Sequence, residues 1–582
     1  MWRHARHNTV VIDGDRRCAA SMAQNRLSML AVFFISAYLL IGIRLLDLGI
    51  VQTLDFRADI SDTGAESVAV KEIAARRGDM YDRNGFLVAT SLKTPSLFVD
   101  PHLVLDAKAL SNDLAKVLPD FDKLKAVKIM SAKNRFGWLA YDITPKQQQA
   151  ILEIGDPSLG FKYNYKRIYP QGSLFAHLVG YADRDGLGLS GVERSFDDIL
   201  ARGDDVNLSL DLRLQHAVKR EVSKAMTDFN AKAGVGLVLD AKTGELLSGV
   251  SLPDFDLNVV SVAKDNQKFN RLTLGVYELG SMFKIFSTAA LLELRKVSMG
   301  KTFDARKPIK VGWFTIRDYH AQKRFLTVAE VFMHSSNIGT ALMAKMVGSK
   351  ALKDFYKDLG LLDRLRFDIK EVGRPITPKQ DVWREDSTMT ISYGHGISVS
   401  PLQMSAAVAS IVNGGISVQP TLIKRGEGYH PKSEMRVISE KTSEKMRKLL
   451  RLVVNKGTGK NANVDGIAIG GKTGTAEKSV NGRYSKDKLI SSFVGAFPID
   501  DPEYIVMVMV DEPKGNKSSY GYATAGWVAA PAVKSIVNSM VSILGIPTDK
   551  YNPASDISLD LMSYVHDKDK RYKKGRTLAS YE

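Results

Sequence analysis

Cysteine is nearly missing from this chain of 582 residues: Cys18 is the only one. A single thiol excludes an intrachain disulfide and a cysteine metal site. Internal repeats are absent. So are zinc-finger spacings and the aromatic pattern of an RNA-binding module, so the net charge of +17 does not read as nucleic-acid binding. It reads as lysine and arginine spread over a solvated surface. The apolar fraction of 44% and charged fraction of 25% are those of a folded protein. At this length two or more domains with ample core are expected.

Long apolar runs are also scarce, and the only one lies at the N-terminus. Leu27 to Ile43 is uncharged, and apolar character continues past Arg44 to Val51. Snorkelling of Arg44 stretches the run to a membrane span, expected over 27–51. Arg3, Arg6, Arg16, Arg17 and Arg26 precede it, against Asp13 and Asp15. The positive-inside rule puts residues 1–26, with Cys18, in the cytoplasm and exports the rest. The exported part is then cysteine-free, and its folding does not depend on oxidation. A cleaved signal peptide is the rival reading, but bulky Leu45 to Val51 leave no small-x-small cleavage site. A single-pass, uncleaved anchor is therefore expected.

Residues 52–205 mix short strand-like runs with polar helices. They contain Arg77 to Gly85, whose Asn84-Gly85 is a turn signal, then Arg167-Ile168-Tyr169-Pro170 and Gly191-Val192-Glu193. Read alone, these polar strings are structural. In the second part, 206–546, Val235–Asp240 and Glu245–Val250 read as a hairpin. Helical stretches are expected from Ser281 to about 410, and strands return at Ile467–Glu477, Ser492–Phe497 and Tyr504–Val510. Strands, then helices, then strands predict an α+β fold, an antiparallel sheet packed with helices. Residues 547–582 are polar and read as a solvated tail.

Three strings carry the chemistry: Ser281-Met282-Phe283-Lys284, Ser335-Ser336-Asn337 and Lys472-Thr473-Gly474. Each alone is weak. Ser-x-x-Lys recurs at Ser261/Lys264, Ser298/Lys301 and Ser485/Lys488, and a second Lys-Thr-Gly at Lys242-Thr243-Gly244 reads as a hairpin turn. Ser281 stands out because a turn, Tyr277 to Gly280, precedes it and an apolar-periodic stretch follows to Leu292. That places Ser281 and Lys284 on one face of a helix, one turn apart, near its positive end. The capping box Thr327-Val328-Ala329-Glu330 starts a helix expected to deliver Ser335 and Asn337 at its far end.

The order and setting of the strings fit a serine acyl-transfer site. Ser281 is the candidate nucleophile and Lys284 its base, neutral if burial and a neighbouring Lys472 depress its pKa. Ser335 suits a proton relay, and Asn337 suits holding Lys284 or a substrate amide. Lys472 and Thr473 suit a carboxylate, and Gly474 leaves room for substrate along the strand. The N–H groups of Ser281 and Thr475 suit an oxyanion hole.

With these strings the chain resembles the class B penicillin-binding proteins, over nearly its whole length. Arg77 to Gly85, Arg167 to Pro170 and Gly191 to Glu193 resemble the family's pedestal motifs. Asn270-Arg271 and Tyr277 to Ser281 resemble its active-site approach, with Leu279 where the family usually has proline. Ser392 to Gln403 resembles the division-specific branch more than the elongation branch. No repeat module follows the catalytic region, which points to a Gram-negative cell.

The resemblance implies a peptidoglycan D,D-transpeptidase of the division septum in the inner membrane, with a periplasmic catalytic domain. Its substrates would be stem peptides ending in D-Ala-D-Ala, with the terminal carboxylate on Lys472, Thr473 and Thr475. β-Lactams would acylate Ser281. Neither metal nor organic cofactor is implied. The implied partners are a membrane glycan polymerase of the SEDS type and other division proteins. Rival functions are an elongation-type transpeptidase, a D,D-carboxypeptidase, a β-lactamase and a division scaffold or penicillin sensor. A β-lactamase needs a deacylating base and no large pedestal, and a sensor needs a cytoplasmic output domain larger than 26 residues.

Overall fold

The structure is a computed structural model that describes residues 29, 32–42, 76–312, 314–380, 382–426, 428–429, 435–480, 483–548 and 551–566. The chain divides into two units, 1–72 and 73–582. In the first, residues 32–42 are helical, with Ser36 Oγ donating to the Val32 carbonyl at 2.8 Å. Among the described residues no helix is long and apolar enough to cross a membrane. The remainder of the expected span over 27–51 lies outside them.

The second unit opens with a five-stranded mixed sheet: β1 (Met80–Tyr81), β2 (Leu87–Val99), β3 (Gly137–Ala140), β4 (Leu159–Ile168) and β5 (Val206–Asn207). Asp82 builds the turn between β1 and β2. Its Oδ1 accepts from the N–H groups of Asn84 and Phe86, each at 2.8 Å, where the Asn-Gly signal predicts a turn. Helices α1 (Ala107–Val117), α2 (Lys123–Met130) and α3 (Pro145–Ile154) are capped by Asp106, Asp122 and Thr144. They bury Leu110, Leu114 and Ile151 against Leu97 and Val99 of β2.

The three polar strings of this region converge on one buried carboxylate. Arg77 Nε and Arg167 Nε donate to Glu193 at 2.6 and 2.7 Å, and the Tyr169 hydroxyl donates to it at 3.2 Å. Arg77 also reaches Asp197 at 2.7 Å. The network is structural, as the strings read alone predict. It ties the start of β1 to the end of β4 and to the segment before β5.

The catalytic sheet is antiparallel, in the order β12-β13-β14-β6-β7. Its strands are β6 (Ala233–Asp240), β7 (Leu246–Leu252), β12 (Gly470–Val480), β13 (Arg483–Phe497) and β14 (Tyr504–Asp511). The β6–β7 hairpin forms where the two strand-like runs predict it, and Lys242-Thr243-Gly244 is its turn, closed by Asp240 Oδ1. Helices α4 (Leu212–Asp228) and α10 (Ala529–Leu544) cover one face through Val218, Val222, Val533 and Ile536. The other core packs α5 (Lys284–Arg295), α8 (Pro401–Val412) and α9 (Glu440–Lys456) with sheet residues such as Leu237 and Met507. Each buried aliphatic side chain contributes roughly 1.5–3 kcal/mol.

Two expectations are corrected. The stretch from Ser281 to 410 is not helical throughout. Two ribbons interrupt it, β8 (Thr302–Asp304) with β11 (Phe325–Thr327), and β9 (Ile309–Val311) with β10 (Phe314–Ile316). Their β-branched and aromatic residues favour a pleated, half-buried surface. The expected solvated tail from 547 is the second. Residues 551–566 are docked: Asp556 accepts from buried Arg451 at 2.7 Å, Asn455 donates to Ser558 at 2.8 Å, and Thr327 donates to the Tyr564 carbonyl at 2.8 Å. Residues 567–582 lie outside the described residues.

Candidate active site

Ser281 sits in a single 3-10 turn, Gly280–Phe283, that feeds directly into α5 at Lys284. The turn is pinned against the catalytic sheet. Gly280 has φ 54°, and a Cβ there would meet the Thr475 carbonyl oxygen at 2.8 Å. Glycine lets the chain bend this closely over β12. Ser281 itself is partly exposed, while Met282, Phe283 and Lys284 are buried.

The second string lies between two helices. α6 (Val328–Met333) begins at the capping box, with Glu330 N–H donating to Thr327 Oγ1 at 3.2 Å. It ends at Met333, so Ser335 follows its far end as expected, whereas Asn337 belongs to the next helix. Ser335 adopts φ 57°, in the left-handed region. Ser336 then caps α7 (Asn337–Val347), whose first residue is Asn337. Asp318, which sequence reasoning missed, holds this junction: Oδ2 accepts from Ser336 Oγ at 2.8 Å and Oδ1 from Ile338 N–H at 2.9 Å.

The three strings meet at Ser335. Lys284 Nζ lies 2.5 Å from the Ser335 carbonyl oxygen, 3.1 Å from Ser335 Oγ and 2.7 Å from Asn337 Oδ1. Lys472 Nζ lies 2.9 Å from the same Ser335 Oγ and 3.2 Å from the Thr473 carbonyl oxygen. Both lysines are fully buried. Burial, then repulsion from Lys472, holds Lys284 well below the ordinary lysine range, against the pull of Asp318. Burial pushes Lys472 down to about 7.

These contacts fix the proton arrangement of a neutral Lys284. A neutral amine has two N–H donors and one lone pair. The Ser335 carbonyl and Asn337 Oδ1 only accept, so they take the two donors. Ser335 Oγ is the one of the three able to donate as well as accept, so it is the partner through which Lys284 can pass a proton on. Its oxygen accepts from Lys472 in turn. The result is a hydrogen-bonded chain from Lys472 through Ser335 to Lys284.

On β12, Thr473 and Thr475 share the face opposite Lys472 and Gly474. Thr473 Oγ1 lies 2.7 Å from Thr458 Oγ1, and Thr475 Oγ1 accepts from Ala525 N–H at 3.1 Å. Thr458, on the turn after α9, joins the site without having been picked from the sequence; a threonine between glycines, Gly457-Thr458-Gly459, is the only local hint. Gly474 has a structural cause of its own. A Cβ there would meet the Leu279 carbonyl oxygen at 2.4 Å and Ser492 Oγ at 2.8 Å. The glycine makes room for the turn that carries Ser281.

Residues 234–538 match the penicillin-binding protein transpeptidase domain, and residues 72–207 match the penicillin-binding protein dimerisation domain. The chain belongs to the class B penicillin-binding proteins. It is 40% identical over 488 residues to a probable peptidoglycan D,D-transpeptidase FtsI of Caulobacter vibrioides, covering 81% of this chain and 82% of that one. It is 28% identical to the peptidoglycan D,D-transpeptidase FtsI of Escherichia coli, covering 84% and 87%. Among solved structures, penicillin-binding protein 3 of Mycobacterium tuberculosis in complex with ampicillin superposes with a TM-score of 0.66 at 26% identity, covering 83% of this chain and 98% of that one.

Proposed function

We propose that this protein is a membrane-anchored serine D,D-transpeptidase that cross-links peptidoglycan stem peptides during cell division. The family match and the two FtsI relatives support the activity and the division role. The observation that carries the mechanism is the double contact of Ser335 Oγ with Lys284 and Lys472.

In this reading Ser281 Oγ gives its proton to neutral Lys284 and attacks the penultimate D-Ala carbonyl. The oxyanion forms between the N–H groups of Ser281 and Thr475. The peptide C–N bond then breaks, and the proton travels from Lys284 through Ser335 to the leaving D-Ala nitrogen. Asn337 holds Lys284 in place. Lys472 supplies positive charge, and Thr473 and Thr475 supply hydroxyls, for the terminal carboxylate. An amine from a neighbouring stem peptide resolves the acyl-enzyme. β-Lactams acylate Ser281 in the same way, as the ampicillin and aztreonam complexes of the Mycobacterium relative suggest. Residues 27–51 anchor the chain in the inner membrane, with the catalytic part in the periplasm at the septum. A SEDS-type glycan polymerase and other division proteins are its partners.

The test is incubation of the full chain with a D-Ala-D-Ala stem peptide and an amine acceptor. Release of D-alanine with formation of the new amide, lost in Ser281→Ala, supports the reading. D-Alanine release without any amide product would make the protein a carboxypeptidase.

A further inference from the structure

Glu278 stands three residues before Ser281. Its Oε1 accepts from Gly396 N–H at 3.0 Å, and the Tyr484 hydroxyl lies 3.1 Å from both carboxylate oxygens. The Tyr484 ring lies 5.4 Å from the His395 ring, which lies 5.3 Å from the Tyr393 ring. Three segments thus meet beside the nucleophile: the approach to Ser281, the loop 392–400 and the tip of the β12–β13 hairpin. The edge of this cluster is open to solvent: Tyr484 is 45% exposed.

The charges here are unbalanced. Among the described side chains no cation pairs with Glu278, and burial raises its pKa. Glu477 of β12 adds a second negative charge near Tyr484. Burial, and then the field of Lys284 whenever it is protonated, lower the pKa of His395, which ties the cluster to the reaction centre. Removing a carboxylate from water without a counter-ion is costly, and a bound cation offsets that cost. The reaction brings such a cation. An acceptor amine arrives as an ammonium at neutral pH. Lys472 and the threonines of β12 suit the donor's carboxylate, so the two substrates sort by charge.

We propose that Glu278, with the Tyr484 ring beside it, is the acceptor subsite that binds the ammonium group of the second stem peptide. The inference rests on the transpeptidase reading above. The carboxylate supplies the counter-charge, and the ring face supplies a cation–π contact. The bound ammonium releases one proton to solvent through the open edge. The amine nitrogen then attacks the Ser281 ester carbonyl: the C–N bond forms, the C–Oγ bond breaks, and the second proton passes to Ser281 Oγ. Water, the competing acceptor, is neutral and gains nothing from Glu278.

The experiment uses the full chain in detergent, a thioester donor analogue and D-alaninamide as acceptor, and reads the ratio of aminolysis to hydrolysis products. The ratio normalises for acyl-enzyme formation. It is expected to fall about tenfold or more in Glu278→Gln, which keeps the hydrogen bonds and loses the charge. Glu278→Asp, which keeps the charge, is expected to recover part of the ratio. An unchanged ratio in Glu278→Gln overturns the proposal, and so does a Glu278→Asp no better than Glu278→Gln. If the unaltered protein forms no acyl-enzyme at all, the transpeptidase reading fails instead.

Discussion

Lys284 and Lys472 share one hydroxyl: their Nζ atoms lie 3.1 and 2.9 Å from Ser335 Oγ, and both side chains are buried. Two ammonium groups in that arrangement repel each other in a low-dielectric setting, so one gives up its proton. Burial and repulsion from Lys472 hold Lys284 well below the ordinary lysine range. A base that is neutral near physiological pH follows from packing alone.

The rate of acylation by a penicillin is therefore expected to have its acid limb far below the ordinary lysine pKa of about 10. Lysines with depressed pKa values lose their protons as pH rises, so acylation rises through that limb as Lys284 becomes neutral. A stopped-flow pH profile checks this. A rate that climbs only near pH ~10 would show an unperturbed lysine.

Ser335→Ala removes the hydroxyl and leaves both lysines in place. General acid–base steps contribute roughly 10²–10⁴-fold, so acylation is expected to slow by a factor in that range. The adduct still forms on Ser281, read by time-resolved mass spectrometry.

Glu193→Ala leaves Arg167 without its carboxylate partner and Arg77 with Asp197 alone, in the pedestal, where both side chains are buried. Breaking a buried pair costs about 3–5 kcal/mol. A clear loss in the thermal midpoint is expected, with the penicillin adduct still formed at low temperature.

The docked segment 551–566 gives the fold an acid sensitivity. Burial pushes Glu330 up. The Arg324 guanidinium and the N–H groups of His566 and Thr327 outweigh it and hold the carboxyl at about 2. A depressed carboxylate contributes stability that is complete above its ordinary pKa of about 4.5 and is lost as pH falls toward 2. Glu330→Gln is expected to flatten stability in that window, measured by urea unfolding between pH 5 and pH 2.

The site was legible where local patterns carry it. Lys284, Ser335, Asn337, Lys472 and Thr473 come together from three distant strings, Ser281 lies in the turn that leads into Lys284, and the β6–β7 hairpin and the Thr327 capping box fall where turn and capping chemistry put them. What escaped depends on distant partners. Asp556 and Tyr551 look like solvated polar residues until Arg451, about a hundred positions earlier in the chain, is seen to fill the space between them. Thr458 lies in the site only because β12 passes beside the end of α9. Gly474 answers to the backbone of Leu279, which no spacing rule reveals.

The central claim is that Ser281 is the group acylated. The direct measurement is peptide mapping of the protein after incubation with a fluorescent penicillin, alongside Ser281→Ala. The account predicts one stable adduct on the peptide that contains Ser281, absent from the variant. Label on another serine, or an adduct that persists in Ser281→Ala, would contradict it.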